Sequence, residues 1–478
     1  MLLSKLIKVS QERQDVDVKF ITKDCDKAKG GAYFCLADDL DVATRRSQEA
    51  FDNDAKVIVS RFDLPFDNCV TVDDVRGSFA RACKQFYGGA CDRMKMVGIT
   101  GTNGKTTTSH VIGEILRRNG LNVGIIGTNG VFYDGKKFEC PLTTPDADFL
   151  HKTFAEMEKC GVEYVVMEVS AHAIVQKRVD GILFECAVLT NITQDHLDYF
   201  KNMESYEKAK LSFLTARHAK NAVVCVDDPR CANNLQNIKI PFVTYGLKNP
   251  ADCFAIDLVC DLNSTHFVAN ILDSVFETKT NLIGEYNVQN ALAAMSVCKL
   301  LGLSDRQISR GTNFVKPVEG RFNIFKVNGA YVVVDFAHTP DGIEKLLQTT
   351  KNLTDKNVYI VFGCGGNRDA TKRHVMGQIA EAYADYVMLT NDNPRGEDPQ
   401  KIVSDIEKGI KKPHFVELNR EKAILKMISL LRAGDVLLVA GKGAEKYQEI
   451  DGEKIPYSDF DVVKHYLQRT EEVTKNDC

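Results

Sequence analysis

A glycine-rich loop is the strongest chemical signal in the sequence. Glycines at 98, 101 and 104 are followed directly by Lys105 and Thr106, and the segment lies between an apolar stretch and a helical one. Glycines let backbone N–H groups turn towards one point, and a helix N-terminus adds positive potential, so such a loop binds phosphate. Lys105 can reach a terminal phosphate, and the Thr106 hydroxyl can bind Mg²⁺. The common phosphate loop has glycine where Ile99 stands, so this loop is a variant.

Acidic and imidazole side chains follow two further apolar runs. Glu168 follows residues 163–167, and the pair Asp195 and His196 comes shortly after residues 186–189. Because the carboxyl ends of parallel strands meet at one edge of a sheet, we expect these groups beside the phosphate loop, with Glu168 binding Mg²⁺. Two plainer interpretations stay open: Glu168 is a surface residue, and the Asp-His pair caps a loop.

Four polar loops in the last third of the chain also follow apolar runs. They contain Arg368 and Arg395, whose forked donors suit a carboxylate or a phosphate, and Asp392 and Glu445, either of which could hold an ammonium group. A crevice that offers both charges suits a zwitterionic amino acid. The alternative is the ordinary polarity of loops.

These side chains require two α/β sheets to position them. Apolar runs of strand length at 94–100, 121–126, 163–167 and 186–189 are separated by helical stretches such as 106–119, which indicates a mainly parallel sheet. A second set of strands is expected at 331–334, 358–362, 386–389 and 436–439. The chain is therefore predicted to be an α/β protein of three domains, 1–92, 93–318 and 319–478, the first being the smallest.

Composition excludes several classes of protein. With 61 Lys and Arg against 65 Asp and Glu, the net charge is −4, which does not favour a nucleic-acid binder. No apolar run is long enough to span a bilayer, and the first residues are too weakly apolar for a secretory signal, so we expect a cytoplasmic protein with no membrane insertion. The 15 cysteines form no CxxC pair, and we expect all of them to be reduced core residues.

Ten motifs together resemble one family, the Mur ligases of peptidoglycan precursor synthesis. In order they are GITGTNGKTTT, MEVSAHAI, LTNITQDHLDYF, the lysine-containing segment 206–213, GEYNVQNALAA, EGRF, DFAHTPD, VFGCGGNRD, DNPR and GKGAEKYQ. They cover residues 94 to 459. The DNPR segment resembles that of members that add meso-2,6-diaminopimelate.

The resemblance implies an architecture and a reaction. The domains would be a uridine-nucleotide domain, a central P-loop ATPase sheet and a C-terminal Rossmann-like sheet. The enzyme would use ATP as co-substrate and two Mg²⁺ ions to join meso-diaminopimelate to UDP-N-acetylmuramoyl-L-alanyl-D-glutamate through an acyl phosphate. The resemblance does not place the uridine contacts, because residues 24–26 depart from the family pattern. We expect a monomer.

The resemblance also implies roles for individual residues. The ATP contacts would be Gly101, Thr102, Asn103, Gly104, Lys105, Thr106, Thr107, Asn287, Asn290, Arg321 and Asp335. The contacts to the muramyl substrate would be Thr143, Thr144, Ser170, Gln176 and Arg178. The contacts to diaminopimelate would be Arg368, Asp392, Asn393, Pro394, Arg395, Gly441 and Glu445.

The metal ligands implied by the family are Thr106, Glu168, His196 and Lys210, the last as a carbamate (N6-carboxylysine). These four and Lys105 would be the catalytic residues. By composition alone, however, Lys210 is an ordinary solvated lysine. Arg395 is expected to discriminate against L-lysine, because a ligand without the distal carboxylate would leave its charge unpaired.

Three rival functions remain open at this stage. An L-lysine-adding Mur ligase and an enzyme similar to folylpolyglutamate synthetase would share the phosphate loop and metal ligands. A P-loop nucleotide switch would share the loop but would need no amino-acid crevice. The ligase interpretation also predicts that the C-terminal domain closes onto the central one, to exclude water from the acyl phosphate.

Overall fold

The computed structural model describes residues 1–7 and 15–476. Its first unit is a parallel four-stranded sheet in the order β1-β2-β3-β4. The strands are β1 Ile21–Thr22, β2 Ala32–Phe34, β3 Val57–Ser60 and β4 Cys69–Thr71, and the helices are α1 Leu40–Asp52 and α2 Val75–Phe86. Both helices begin at an aspartate, Asp39 or Asp74, whose side chain accepts a hydrogen bond from the first turn.

The central unit contains an eleven-stranded sheet in the order β15-β14-β13-β12-β11-β10-β5-β9-β6-β7-β8. Its strands are β5 Lys95–Thr100, β6 Val123–Gly127, β7 Gly130–Tyr133, β8 Lys136–Phe138, β9 Tyr164–Glu168, β10 Phe184–Leu189, β11 Ala219–Cys225, β12 Phe242–Gly246, β13 Cys253–Cys260, β14 Thr265–Ile271 and β15 Ser274–Thr280. Its helices are α3 Lys105–Arg118, α4 Ala147–Lys159, α5 Ala171–Val175, α6 Leu197–Phe200, α7 Met203–Leu211, α8 Pro229–Asn233, α9 Glu285–Leu300 and α10 Asp305–Asn313.

The four strands expected in this region are confirmed as β5, β6, β9 and β10. The central strands pair in parallel, as expected, in the order β6-β9-β5-β10-β11-β12-β13. Antiparallel strands extend both ends of the sheet, β7 and β8 at one and β14 and β15 at the other. The parallel centre is buried on both faces, because helices cover each side.

The third unit is a six-stranded sheet in the order β16-β17-β21-β18-β19-β20, in which only β16 is antiparallel. Its strands are β16 Asn323–Val327, β17 Ala330–Asp335, β18 Val358–Phe362, β19 Tyr386–Leu389, β20 Phe415–Val416 and β21 Val436–Ala440, followed by the hairpin β22 Tyr447–Ile450 and β23 Glu453–Pro456. Its helices are α11 Pro340–Leu353, α12 Arg373–Tyr383, α13 Pro399–Glu407, α14 Arg420–Leu430 and α15 Asp459–Asn476. All four strands expected here are present.

Each sheet falls within one of the three predicted domain ranges, whose boundaries stay predictions. Within the described ranges, no helix is long and apolar enough to cross a bilayer. The expectation that every cysteine lies in the core is wrong. Ten of the described cysteines are buried, but Cys160 and Cys260 are exposed and Cys25 and Cys140 are half-buried. Composition does not decide burial at loop and hairpin positions such as these.

Candidate active site

The phosphate loop joins β5 to α3 and is held by the loop that follows β10. Asn191 Oδ1 accepts a hydrogen bond from the backbone N–H of Asn103 at 2.9 Å, and the Thr190 hydroxyl donates to the Asn103 carbonyl at 2.6 Å. Gly101 has φ +144°, and a Cβ there would lie 1.8 Å from Thr190 Oγ1. The close approach of the two loops therefore requires glycine at this position.

Lys105 curls back over this loop. Its Nζ donates hydrogen bonds to the carbonyls of Gly101 and Thr102 at 2.8 and 2.9 Å. Desolvation lowers the pKa of Lys105, with the nearby charge of Arg321 acting in the same direction and Glu168 and Asp195 opposing it. The ammonium group is thus held at the loop by carbonyl oxygens that a phosphate can replace as its partner.

A cavity of about 280 Å³ opens above the loop, between the central and C-terminal sheets. Ten of the eleven predicted ATP contacts line it: Thr102, Asn103, Gly104, Lys105, Thr106, Thr107, Asn287, Asn290, Arg321 and Asp335. The exception is Gly101, which lies against Thr190 beneath the loop. The structure therefore brings together residues that are up to 233 positions apart in the chain, from Thr102 to Asp335.

Arg321 connects the C-terminal unit to the phosphate loop. Its Nη2 donates a hydrogen bond to Thr106 Oγ1 at 3.2 Å, and its guanidinium lies 4.3 Å from the centre of the Phe336 ring. Asp335, at the end of β17, accepts hydrogen bonds from the backbone N–H groups of Phe322 and Ala337. Burial raises the pKa of Asp335, although Arg321 opposes this.

Glu168 is the last residue of β9 and is 1% exposed, so its interpretation as a surface residue is wrong. Its carboxylate accepts hydrogen bonds from the backbone N–H and the hydroxyl of Thr128, at 2.9 and 3.1 Å. Thr128 is a site residue that the sequence did not reveal, because no nearby motif distinguishes it. Glu168 and Thr143 both lie on the cavity wall.

His196 and Asp195 also lie on this wall. Asp195 Oδ1 accepts a hydrogen bond from the His196 N–H at 3.0 Å, as a loop cap would, but no side chain caps the start of α6. Burial lowers the pKa of His196 to about 3, despite the opposing charge of Asp195 3.4 Å away. The lowered pKa favours the neutral imidazole, which has a lone pair that can bind a cation.

Asp195 is a buried hub between the two sheets. Its carboxylate pairs with Lys372 at 3.1 Å and lies 3.6 Å from His338 Nε2. Burial alone would raise the pKa of Asp195, but Lys372, His338 and His196 outweigh it and hold the pKa well below its usual range. Lys372 was not singled out from the sequence, because nothing within its own segment indicates a partner 177 residues away.

The donor set fits a hard divalent cation that also binds phosphate. Thr106, Glu168 and His196 offer a hydroxyl, a carboxylate and an imidazole to one cavity. Within residues 1–7 and 15–476, no group of three or more His, Cys, Asp or Glu side chains could hold a metal ion by itself. Mg²⁺ sites of this kind use one or two carboxylates and take their other ligands from substrate phosphates and water.

Lys210 is 1% exposed on α7, so the interpretation of this residue as a solvated lysine is wrong. Its Nζ lies 4.4 Å from the centre of the Tyr206 ring, and the Tyr206 hydroxyl is 3.3 Å from Thr102 Oγ1 in the phosphate loop. Burial lowers the pKa of Lys210 well below its usual range, and the charge of Lys105 acts in the same direction. Lys210 itself is not on the cavity wall.

The five predicted muramyl contacts lie in two connected hydrogen-bonded groups beside Glu168. The Thr144 hydroxyl donates to the Glu168 carbonyl and accepts from the Ser170 N–H, both at 2.9 Å. Arg178 donates to the Thr144 carbonyl at 2.7 Å and to Gln176 Oε1 at 2.6 Å. Thr143 lies within 3.1 Å of the Thr128 hydroxyl, which links this region to the cavity.

A second cavity, of about 140 Å³, lies at the strand ends of the C-terminal sheet. Six of the seven predicted diaminopimelate contacts line it: Arg368, Asp392, Asn393, Arg395, Gly441 and Glu445. Pro394 is buried away from the wall. The two cavities share Asp195, His196, Phe336 and His338, so they meet at one partition.

Three predicted contacts in this cavity, Asn393, Arg395 and Glu445, already have protein partners. Glu445 accepts hydrogen bonds from Lys442 Nζ at 2.8 Å and from Asn393 Nδ2 at 3.0 Å. The expectation that Arg395 would be left unpaired without a ligand carboxylate is wrong, because its Nε donates to Glu449 Oε2 at 2.9 Å. Glu449 was not identified from the sequence, since only the fold brings it to Arg395.

Comparisons with family profiles and with related proteins match this chain to a single family. The family profile of the Mur ligase middle domain matches residues 99–298, and that of the Mur ligase glutamate ligase domain matches residues 320–443. The UDP-N-acetylmuramoyl-L-alanyl-D-glutamate--2,6-diaminopimelate ligase of Geobacillus kaustophilus is 39% identical, over 91% of this chain and 92% of that protein. The enzyme of that name from Clostridium botulinum is 35% identical, over 95% of both chains.

Solved structures also superimpose on this chain. A structure of a UDP-N-acetylmuramoyl-L-alanyl-D-glutamate--2,6-diaminopimelate ligase superimposes with a TM-score of 0.71, at 29% identity and over 98% of this chain and 99% of the other. MurF ligase from Thermotoga maritima, in complex with ADP, superimposes with a TM-score of 0.63 at 19% identity, over 88% of this chain and 93% of the other, which shows a shared fold.

Proposed function

The chain belongs to the Mur ligase family, and we propose that it is an ATP-dependent ligase that joins meso-2,6-diaminopimelate to the D-glutamate of UDP-N-acetylmuramoyl-L-alanyl-D-glutamate. The observation that carries this proposal is the partition shared by the two cavities. A phosphate loop and a cleft of mixed charge lie on either side of it. An activated carboxylate formed at the first cavity would thus be within reach of an amine bound in the second.

The chemistry follows from the poor reactivity of a carboxylate. Its oxygen attacks the γ-phosphorus of ATP, the bond to ADP breaks, and an acyl phosphate forms. The amine of diaminopimelate then attacks the acyl carbon, loses a proton, and releases inorganic phosphate. Lys105 and Arg321 would draw negative charge from the phosphates during the first step, and backbone N–H groups of the loop would hold them.

Mg²⁺ would be held by Thr106, Glu168 and His196, with a second ion near Lys210. When bound, the ions would neutralise the charge that accumulates where a triphosphate and a carboxylate meet. The neutral imidazole of His196 and the carboxylate of Glu168 suit this role. Thr128 would orient the Glu168 carboxylate by donating to both of its oxygens.

We propose that Lys210 carries a carbamate. Burial lowers the pKa of its amine and so favours the neutral form, whose nitrogen can attack CO₂, forming an N–C bond and releasing one proton. The product is an anion, whereas the protonated amine would place a second buried cation near Lys105. The change of sign would make this position favourable to a metal ion.

The remaining assignments are also proposals. Thr143, Thr144, Ser170, Gln176 and Arg178 would bind the muramyl peptide beside Glu168. The second cavity would bind diaminopimelate between Arg368 and Arg395 on one side and Asp392 and Glu445 on the other. We also propose that the protein is a monomer, and its nucleotide substrates favour a cytoplasmic location.

An amino-acid panel tests the function. Purified protein is given ATP, Mg²⁺ and UDP-N-acetylmuramoyl-L-alanyl-D-glutamate with meso-diaminopimelate, L-lysine or L-glutamate, and phosphate release and product mass are measured. Phosphate release that requires both the nucleotide peptide and meso-diaminopimelate supports the proposal. Release with ATP alone would indicate a nucleotide switch, and a preference for L-lysine or L-glutamate would indicate another ligase. The Lys105→Met variant is the inactive control.

A further inference from the structure

The backbone of the hairpin β22–β23 forms two hydrogen bonds with the backbone of Arg395. The Arg395 N–H donates to the Glu449 carbonyl at 2.9 Å, and the Asp451 N–H donates to the Arg395 carbonyl at 2.7 Å. The Glu449 N–H in turn donates to Asn393 Oδ1 at 3.0 Å. Arg395 has φ +54°, a left-handed conformation that is unfavourable for a residue with a side chain and persists where surrounding contacts enforce it.

The side chain of Arg395 is also fixed by hydrogen bonds. Its Nε donates to Glu449 Oε2 at 2.9 Å, and its Nη1 donates to the Gly366 carbonyl at 2.9 Å. In the described part of the chain, the two N–H groups of Nη2 have no hydrogen-bond partner. Arg395 lines the second cavity, and its side chain is 20% exposed. Its guanidinium is therefore oriented by Glu449 while two donors stay available.

Glu449 also changes the energetic cost of leaving Arg395 without a ligand carboxylate. A half-buried cation without a partner is costly, and this cost would penalise a ligand that lacks a distal carboxylate. Because Glu449 neutralises Arg395 in advance, L-lysine can bind without leaving a cation unpaired. Glu449 therefore limits the discrimination that Arg395 alone could provide.

We infer that Glu449 is a positioning residue that sets amino-acid specificity through Arg395, by orienting the guanidinium and by supplying its counter-charge. This inference rests on the proposed function. It predicts that two substitutions of Glu449 will affect these two roles differently. Glu449→Gln keeps an oxygen that can accept from Arg395 Nε but removes the charge, whereas Glu449→Ala removes both.

The test compares kcat/KM for meso-diaminopimelate and for L-lysine. Glu449→Gln should raise the ratio of the two values about tenfold, because Arg395 regains a charge that only the longer ligand can satisfy. Glu449→Ala should lower kcat/KM for meso-diaminopimelate about tenfold, mainly through its KM, because Arg395 loses its orientation. The KM for ATP should stay unchanged in both variants.

Glu453→Gln, at an exposed position on the same hairpin, is the matched control and should alter neither ratio nor KM. Thermal unfolding of each variant checks that the hairpin change leaves the fold intact, and calorimetric titration of both amino acids gives the same ratio without turnover. A ratio for Glu449→Gln that is unchanged or lower overturns the inference. A wild-type protein that binds meso-diaminopimelate but does not ligate it overturns the proposed function while leaving this binding test in force, and one that neither binds nor ligates it overturns both.

Discussion

Lys210 is the site residue whose burial and role are least evident from the neighbouring sequence. Its helix carries an exposed lysine, Lys208, two positions earlier, and nothing in their immediate neighbours separates them. Burial is decided instead by Tyr206 and by the phosphate loop beyond it. The chemistry of Gly104–Lys105–Thr106 could be read from the sequence because the loop binds phosphate through its own backbone, whereas the role of Lys210 depends on distant residues.

Replacement of Lys210 by methionine should stabilise the protein and abolish ligation. The pKa of Lys210 in the folded state lies well below its usual value of about 10.4, so between these two values the unfolded state binds more protons than the folded state. Stability therefore rises with pH in this window and is lost as pH falls through it. Lys210→Met removes this cost and should raise the unfolding midpoint at neutral pH by at least about 2 °C.

The measurement is thermal unfolding in bicarbonate-free buffer from neutral to alkaline pH. The gain from Lys210→Met should shrink as pH rises through about 10.4 and above, because the wild-type amine then becomes neutral in the unfolded state as well. Lys208→Met is the control, since its exposed charge should produce neither the gain nor its pH dependence. A destabilised Lys210→Met protein would show that the amine has a favourable partner in the folded state.

At the scale of elements, the strands that carry the site were predictable, but the strands at the edges of the central sheet were not. Every strand that ends at a site residue is a short buried apolar run, and the parallel sheet requires such runs. Strands β13–β15, which form two antiparallel pairs at one end of the sheet, have half-exposed faces, so their sequences are less apolar and gave no clear signal. The approach of the β5–α3 and β10–α6 loops likewise depends on sheet order, which no local pattern specifies.

A pair of glycine substitutions tests the importance of that approach. Gly101 and Gly120 both have positive φ, but a Cβ at Gly101 would clash with Thr190, whereas one at Gly120 would meet nothing within 4 Å. Gly101→Ala should therefore displace the phosphate loop and raise the KM for ATP at least about tenfold, as expected for the loss of one or more loop hydrogen bonds. Gly120→Ala should cost about 1 kcal/mol of stability and leave the KM unchanged.

Steady-state kinetics over a range of ATP concentrations, with chemical unfolding of the same preparations, separates the two effects. Equal KM values for ATP in both variants would show that backbone strain, rather than contact with Thr190, is what glycine relieves at position 101. A raised KM in Gly120→Ala alone would contradict the assignment of the loop.

At the scale of the whole molecule, the C-terminal unit is docked on the central one. Asn103 Nδ2 donates to Asp341 at 2.8 Å, Gln194 donates to Asp369 at 3.2 Å, and Lys372 pairs with Asp195. The predicted closure over the phosphate loop thus has specific contacts that could maintain it. None could be derived from the sequence, because each joins segments more than 170 residues apart.

The pair of Asp195 and Lys372 should be the contact on which this docking depends most. Both side chains are 8% exposed, so removing Lys372 takes the strongest counter-charge from the buried Asp195 and leaves only His338 and His196 beside it, at a cost of up to about 3–5 kcal/mol. Lys372→Met should open the molecule, increase its radius of gyration in small-angle scattering, and lower kcat/KM at least about 100-fold. Lys422→Met, at an exposed position on α14, should change neither.

A double-mutant cycle with Asp195→Asn separates docking from a general loss of stability. If the two charges act as a pair, the double variant should be less impaired than the sum of the single variants, with a coupling energy of about 1 kcal/mol or more. Its radius of gyration should also lie closer to that of the wild type than Lys372→Met does, because no buried charge remains to be solvated. Strict additivity, or an unchanged radius in Lys372→Met, would mean that the two units are held together by their remaining contacts and that Lys372 acts within its own domain.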